Sequence, residues 1–126
     1  MKPNDASSPT ERTTIRAFHA HVYFRDPEER TRALALRQAI AVEHPSVLLG
    51  RVHERPIVVH PAPMYQVSFP PEAFGSVVPW LMLNQNGLSI LVHAVTEDVM
   101  AEHRDWPLWL GERLDLSLER LASVTG

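Results

Sequence analysis

Ten residues near the start constrain this chain more than any others. From Ile15 to Phe24 the side chains alternate, with Phe18, Ala20, Val22 and Phe24 on one side and Ile15, Ala17, His19, His21 and Tyr23 on the other. A two-residue period built from aromatic and β-branched side chains predicts a strand. The fully apolar set has to meet a core. His19 and His21 then share the opposite face, with Cα atoms roughly 6–7 Å apart from the rise of a strand.

Such a strand needs neighbours and a cover, and the remaining sequence supplies both. Asp26-Pro27-Glu28-Glu29 offers an N-cap, a proline suited to the first helical position, and acids for the first turn. The helix is expected to run to about Glu43, with Ala33, Leu36 and Ile40 at helical spacing, and to end at His44-Pro45. Val47 to His53 and Met64 to Phe69 read as the second and third strands. Between them Glu54 to Pro63 carries three prolines and His60, a stiff connection of the kind that often bears function. Pro70-Pro71-Glu72 opens a second helix with Phe74, Val77, Val78 and Leu81 on one face. Pro79 is expected to kink or restart it, and Asn86-Gly87 to stop it. Leu88 to Val95 is a fourth strand, with Leu88, Ile90 and Val92 on one face and Ser89, Leu91 and His93 on the other. From Thr96 the pattern reads as helical, broken at Pro107, with Leu110, Leu114, Leu118 and Leu121 as a terminal stripe.

That order is a split βαβ arrangement. It predicts an α+β, ferredoxin-like βαββαβ sandwich with an antiparallel sheet and extra C-terminal helices. The first strand is central and pairs with the fourth. Both helices cover one face of the sheet, which leaves the other for a subunit, a ligand or the extra helices.

At 126 residues the expectation is one ferredoxin-like domain over residues 15–126, preceded by a disordered polar tail over 1–14. No signal-peptide pattern is seen, so a cytoplasmic protein is expected. No apolar run approaches the ~20 residues of a membrane helix. The net charge is −3, with a single lysine and no basic run, which argues against a nucleic-acid partner. Cysteine is absent, which removes disulfides, thiolate metal sites and a cysteine nucleophile.

Seven histidines remain. His93 lies on the strand expected beside the first, with the parity that puts it on the face of His19 and His21, and the loop bearing His60 can fold over that face. His19, His21 and His93 are therefore the expected metal ligands, and all four histidines the expected catalytic set. Imidazoles suit iron, zinc, copper and nickel; two with a carboxylate would suit non-haem Fe(II). Glu54, Glu97 and Asp98 are the candidate carboxylates. Arg51 is expected to hold a substrate carboxylate by a bidentate pair, and Tyr23, on the histidine side, to touch substrate. His44 and His53 read as surface or loop residues, His103 as part of a solvated helix face or, alternatively, a residue that reaches the site, and Trp80, Trp106 and Trp109 as core or interface or, alternatively, an aromatic wall for a flat substrate. No Gly-x-Gly-x-x-Gly, phosphate loop, His-Glu-x-x-His or nucleophile elbow occurs.

Taken in order, several segments resemble one family. They are His-Ala-His-Val-Tyr-Phe at 19–24, Gly50-Arg51, His60-Pro61, Gln66-Val67-Ser68-Phe69, Val78-Pro79-Trp80-Leu81-Met82-Leu83-Asn84, Leu91-Val92-His93, Asp98 to His103 and Trp109-Leu110-Gly111. The chain is similar, over about residues 16 to 121, to the fungal-type DOPA 4,5-dioxygenases and their bacterial relatives. The resemblance implies a ferredoxin-like subunit paired as a homodimer, a bound ferrous ion, and extradiol opening of a catechol ring with O2. From DOPA the product would be a seco-DOPA that cyclises to a pigment chromophore. His19, His21, His60 and His93 match the family's histidines. Two positions depart from its pattern: Arg25 stands between Phe24 and Asp26, and Ala94 follows His93 where proline is usual.

The expected mechanism joins catechol and O2 on the metal, with zinc or another divalent ion as a substitute for Fe(II). His60 would take a catechol proton and later return it. The alternatives are a dimeric ferredoxin-like ligand-binding module without catalysis and a cofactor-free monooxygenase or isomerase of the same fold.

Overall fold

The alternating segment forms β1 (Ala17–Tyr23) in the computed structural model, which describes residues 14–125. The tail expected over 1–14 therefore lies outside the described residues, apart from Thr14. Helix α1 (Pro27–Glu43) starts where the Asp26 side chain accepts from the Glu29 backbone N–H, and it buries Ala33, Leu36 and Ile40. β2 (Leu48–Leu49) and β3 (Met64–Phe69) follow. After a 3₁₀ turn at Pro71–Ala73 come α2 (Phe74–Asn84) and β4 (Ile90–Val95), then α3 (Val99–Arg104), β5 (Leu108–Leu110) and α4 (Leu118–Thr125). The sheet order is β2-β3-β1-β4-β5, with every neighbouring pair antiparallel. This is the expected ferredoxin-like sheet with one strand added at the β4 edge.

Register fixes the faces. Ala20 pairs with Val67 and Val92, and Val22 with Tyr65 and Ile90. These side chains form the main core together with Ile40, Val77 and Leu81 from the two long helices. The opposite face has a second, smaller cluster of Tyr23, Ala62, Met64 and Leu91, with Trp109, Leu114 and Leu116 packed against it. The β2–β3 connection and the chain after β5 thus roof part of the second face.

Three expectations change. The strand expected over Val47 to His53 is two residues long, followed by an isolated bridge between His53 and Met64. Between these, the Arg37 guanidinium donates to the Gly50 carbonyl at 2.7 Å and the chain leaves the ladder. The helix does not restart at Pro79: α2 runs through it from Phe74 to Asn84, and a proline there removes a single i→i−4 bond. The C-terminal stripe is not one helix. Beyond Pro107, Leu110 sits in β5 opposite Ile90, and of the stripe only Leu118 and Leu121 lie in α4. Gly111 makes the exit from β5 at φ +78°, where an added Cβ would stand 2.5 Å from the Leu88 carbonyl oxygen, so glycine is needed there.

Candidate active site

The second face of the sheet carries the histidines because β1 and β4 are in phase. His19 lies directly opposite His93, and His21 opposite Leu91. The rings of His19 and His93 are 5.4 Å apart and those of His21 and His93 5.1 Å apart. His60 arrives from the β2–β3 connection with its ring 4.2 Å from that of His21. A fifth ring joins them: His103 of α3 stands 4.4 Å from His93. His21, His60, His93 and His103 are buried, and His19 is partly exposed.

The rings are held by distinct partners. His93 Nδ1 lies 2.8 Å from the Ala94 carbonyl oxygen, and His103 Nδ1 lies 2.9 Å from that of Val99. A carbonyl only accepts, so both rings carry a proton on Nδ1, and a ring so anchored presents Nε2 as its ligand nitrogen. His21 Nε2 is 3.1 Å from His93 Nε2. His60 Nδ1 lies 2.7 Å from the Tyr23 hydroxyl. His21 Nδ1 is buried with no partner. Burial pushes His60 down to about 3, with His103 and His93 as the leading nearby repulsions. Burial likewise pushes His93 down to about 4, opposed in part by the Ala94 carbonyl. His21 is held well below the usual imidazole range by burial and then by the neighbouring rings, and His19 is lowered by burial and by His103. These four rings are therefore neutral at pH 7, the form in which imidazole ligates metal.

Two sets of three rings bring ligand nitrogens within 4.8 Å of one another: His19, His21 and His93, and His21, His60 and His103. Two imidazole nitrogens bound to one cation at about 2.1 Å and at right angles stand about 3.0 Å apart, close to the 3.1 Å between His21 and His93. Carbonyl-anchored rings are also how metal-binding histidines are usually oriented. The donor set and the orphaned nitrogen of His21 fit a divalent cation of the iron–zinc series.

A cavity of about 450 Å³ opens on the cluster, within the range of small-molecule sites. Its walls include Ile57, Val59, Met64 and Val95, and Arg51 and Glu102 are its charged residues among those described. Arg51 is exposed and has no partner among the described residues, whereas Tyr23 is 1% exposed and is not among the lining residues.

None of the carboxylates expected from the sequence reaches the cluster. Glu54 pairs with Arg30 at the surface, Glu97 with Arg16, and Asp98 caps α3. The acid beside the rings is Glu102, whose Oε1 is 3.8 Å from His93 Nδ1 and whose Oε2 accepts from the Thr96 backbone N–H at 2.6 Å. Glu102 and His103 were hidden in a six-residue helix too short to show a buried stripe. The available signals were their position just after the His93 strand and their place in the Asp98–His103 segment that resembles the family. His53, read as a loop residue, also lines the cavity, whereas His44 packs edge-on against Trp80 away from it. Trp109 stacks on Tyr23 in the smaller cluster. Arg25 pairs with Glu29 and Glu112, and Ala94 contributes only its carbonyl, so neither departure from the family pattern lines the cavity.

Comparison with known proteins gives a consistent picture. Residues 18–120 match the family described as the Dopa 4,5-dioxygenase family. The chain is 34% identical over 114 residues to a DOPA 4,5-dioxygenase of Amanita muscaria, covering 85% of this chain and 50% of that protein. It is 38% identical over 112 residues to an uncharacterized 21.2 kDa protein of Botryotinia fuckeliana, covering 81% and 61%. The chain thus spans about half to three fifths of the length of these curated relatives. A crystal structure from Nostoc punctiforme, provisionally assigned as a dioxygenase, superposes with a TM-score of 0.84 at 47% identity, covering 88% of this chain and 95% of that one. No helix among the described residues is long and apolar enough to cross a membrane.

Proposed function

The chain belongs to the Dopa 4,5-dioxygenase family, and from that premise we propose that it is an extradiol dioxygenase that opens the ring of a catechol such as DOPA with O2. The observation that carries this reading is the meeting of neutral imidazoles from two paired strands at a cavity sized for one small aromatic ring.

His19, His21 and His93 hold the metal in this reading. Fe(II) bound there would bring catechol and O2 together and polarise the catechol oxygens. The protein's own groups do the rest. The burial that keeps the rings neutral leaves their lone pairs available for ligation. Val59, Met64 and Val95 give the aromatic ring an apolar wall and exclude water from it. Glu102, beside His93 and tied to Thr96, steadies the ring. His60 handles the proton of a catechol hydroxyl. Arg51, with no partner among the described residues, takes the carboxylate of an amino-acid side chain on the catechol.

Anaerobic loading with Fe(II), followed by a catechol and air, is expected to give a yellow ring-opened product with one O2 consumed per product. A His19→Ala, His21→Ala double variant is expected to lose both metal and turnover; wild-type-like activity in it would overturn the reading. A ligand-binding module of the same fold would hold no stoichiometric metal and show no catechol-dependent O2 uptake, and a cofactor-free enzyme would keep its activity in chelator. Arg51→Gln is expected to raise KM for DOPA roughly tenfold or more, the scale of one charged hydrogen-bonded pair, and to leave KM for a catechol without a carboxylate unchanged.

A further inference from the structure

His60 differs from the other anchored rings in what holds it. His93 and His103 face backbone carbonyls, whereas His60 Nδ1 faces a hydroxyl, that of Tyr23, at 2.7 Å. Tyr23 is 1% exposed and lies outside the cavity lining. A buried O–H left without an acceptor costs about 1–3 kcal/mol. Among the described residues, His60 Nδ1 is the acceptor within reach of that hydroxyl. The hydroxyl therefore donates and Nδ1 is bare. The proton of the neutral ring then sits on Nε2. That nitrogen has no protein partner and is not among the sealed polar atoms, while His60 itself lines the cavity.

We infer that Tyr23 is a positioning residue that locks His60 with its proton on Nε2, so that His60 meets an incoming ligand as a hydrogen-bond donor and is excluded from the metal-ligand set. The tautomer stands on the geometry alone; the role in catalysis rests on the proposed function. A protonated nitrogen has no lone pair for a cation. His21, whose Nε2 donates to His93, can shift its proton to an Nδ1 that has no partner among the described residues; the same shift at His60 would leave the Tyr23 hydroxyl without its acceptor, so the set of His21, His60 and His103 is the one that is disfavoured. The inference also reverses the expected order of proton handling. Neutral His60 offers a hydrogen to a catechol oxygen or to O2 before it can accept one. Tyr23 thus reaches the chemistry through another ring instead of touching substrate.

The test is long-range ¹H–¹⁵N NMR on the full chain with ¹⁵N-labelled histidine, as purified and after loading with diamagnetic zinc, His60 being assigned by the signals lost in His60→Asn. The expected result is a pyridine-type Nδ1 and a protonated Nε2 for His60 in both states. Tyr23→Phe, which keeps the ring stacking, is expected to move Nδ1 toward the protonated type. In parallel, His60→Asn is expected to bind one zinc as the wild type does, whereas His93→Ala loses it. A wild-type His60 protonated on Nδ1, or loss of zinc in His60→Asn equal to that in His93→Ala, overturns the inference. The tautomer is read without turnover, so a protein that shows it but opens no catechol contradicts the proposed function and leaves Tyr23's role in fixing the ring intact.

Discussion

The two sides of the sheet are made by the same three strands and treat polar groups in opposite ways. On the helix side, the one polar handle among the large core residues is closed off, since the Tyr65 hydroxyl donates to the Ala33 carbonyl at 2.8 Å. On the histidine side, rings are packed 4–6 Å apart and a carboxylate is buried next to them. Burial serves stability on the first side. On the second it fixes the state of the rings, since it holds His19, His21, His60 and His93 neutral at a cost in stability that the first side offsets.

The comparison breaks most visibly on the helix side. Leu81 is fully buried between α2 and the sheet, so Leu81→Ala is expected to cost about 2–5 kcal/mol of unfolding free energy. Metal bound per folded molecule should stay unchanged. Chemical denaturation combined with metal analysis checks both halves, and loss of metal from the folded variant would mean that the two sides are coupled.

Acid probes the other side. His60 and His93 titrate at about 3 and about 4 in the folded chain, against about 6.5 unfolded. The unfolded chain therefore takes up protons first as pH falls, and stability present above about pH 6.5 is lost as the pH drops toward 4 and then 3. At pH 5 the loss is on the order of 2 kcal/mol per ring. Thermal melts of metal-free protein between pH 7 and 5 are expected to fall steeply, and a flat profile would contradict neutral buried rings.

The smallest effect sharpens the contrast by changing sign. His21→Leu removes an orphaned buried nitrogen and is expected to stabilise the metal-free protein by about 1 kcal/mol, part of the gain being lost because His93 Nε2 forfeits its partner. The same variant should bind no metal. A lower melting temperature would show that the cluster supports the fold.

How far these sides were legible in the sequence follows from their physics. Residue parity places His19, His21 and His93 on one face, because a strand leaves a side chain only two directions. The core followed for the same reason, and Asp26-Pro27 marked α1 correctly. Short elements were not legible. β5 is three residues long after a proline, and its leucines match a helical spacing as well as a strand. The burial of Glu102 and His103 depends on where α3 lands on the sheet, which no local pattern in six residues encodes. Glu54 was a plausible ligand until its pairing with Arg30 across 24 positions of the chain became visible.

β1 is bonded along both flanks, to β3 and to β4. Centrally paired strands open only when the whole molecule does, so their amides exchange with solvent most slowly. Two of the proposed ligands ride on that strand and a third on its neighbour. The proposed cradle therefore keeps its shape when empty, and a cation bound there would meet a finished socket instead of organising a loose chain.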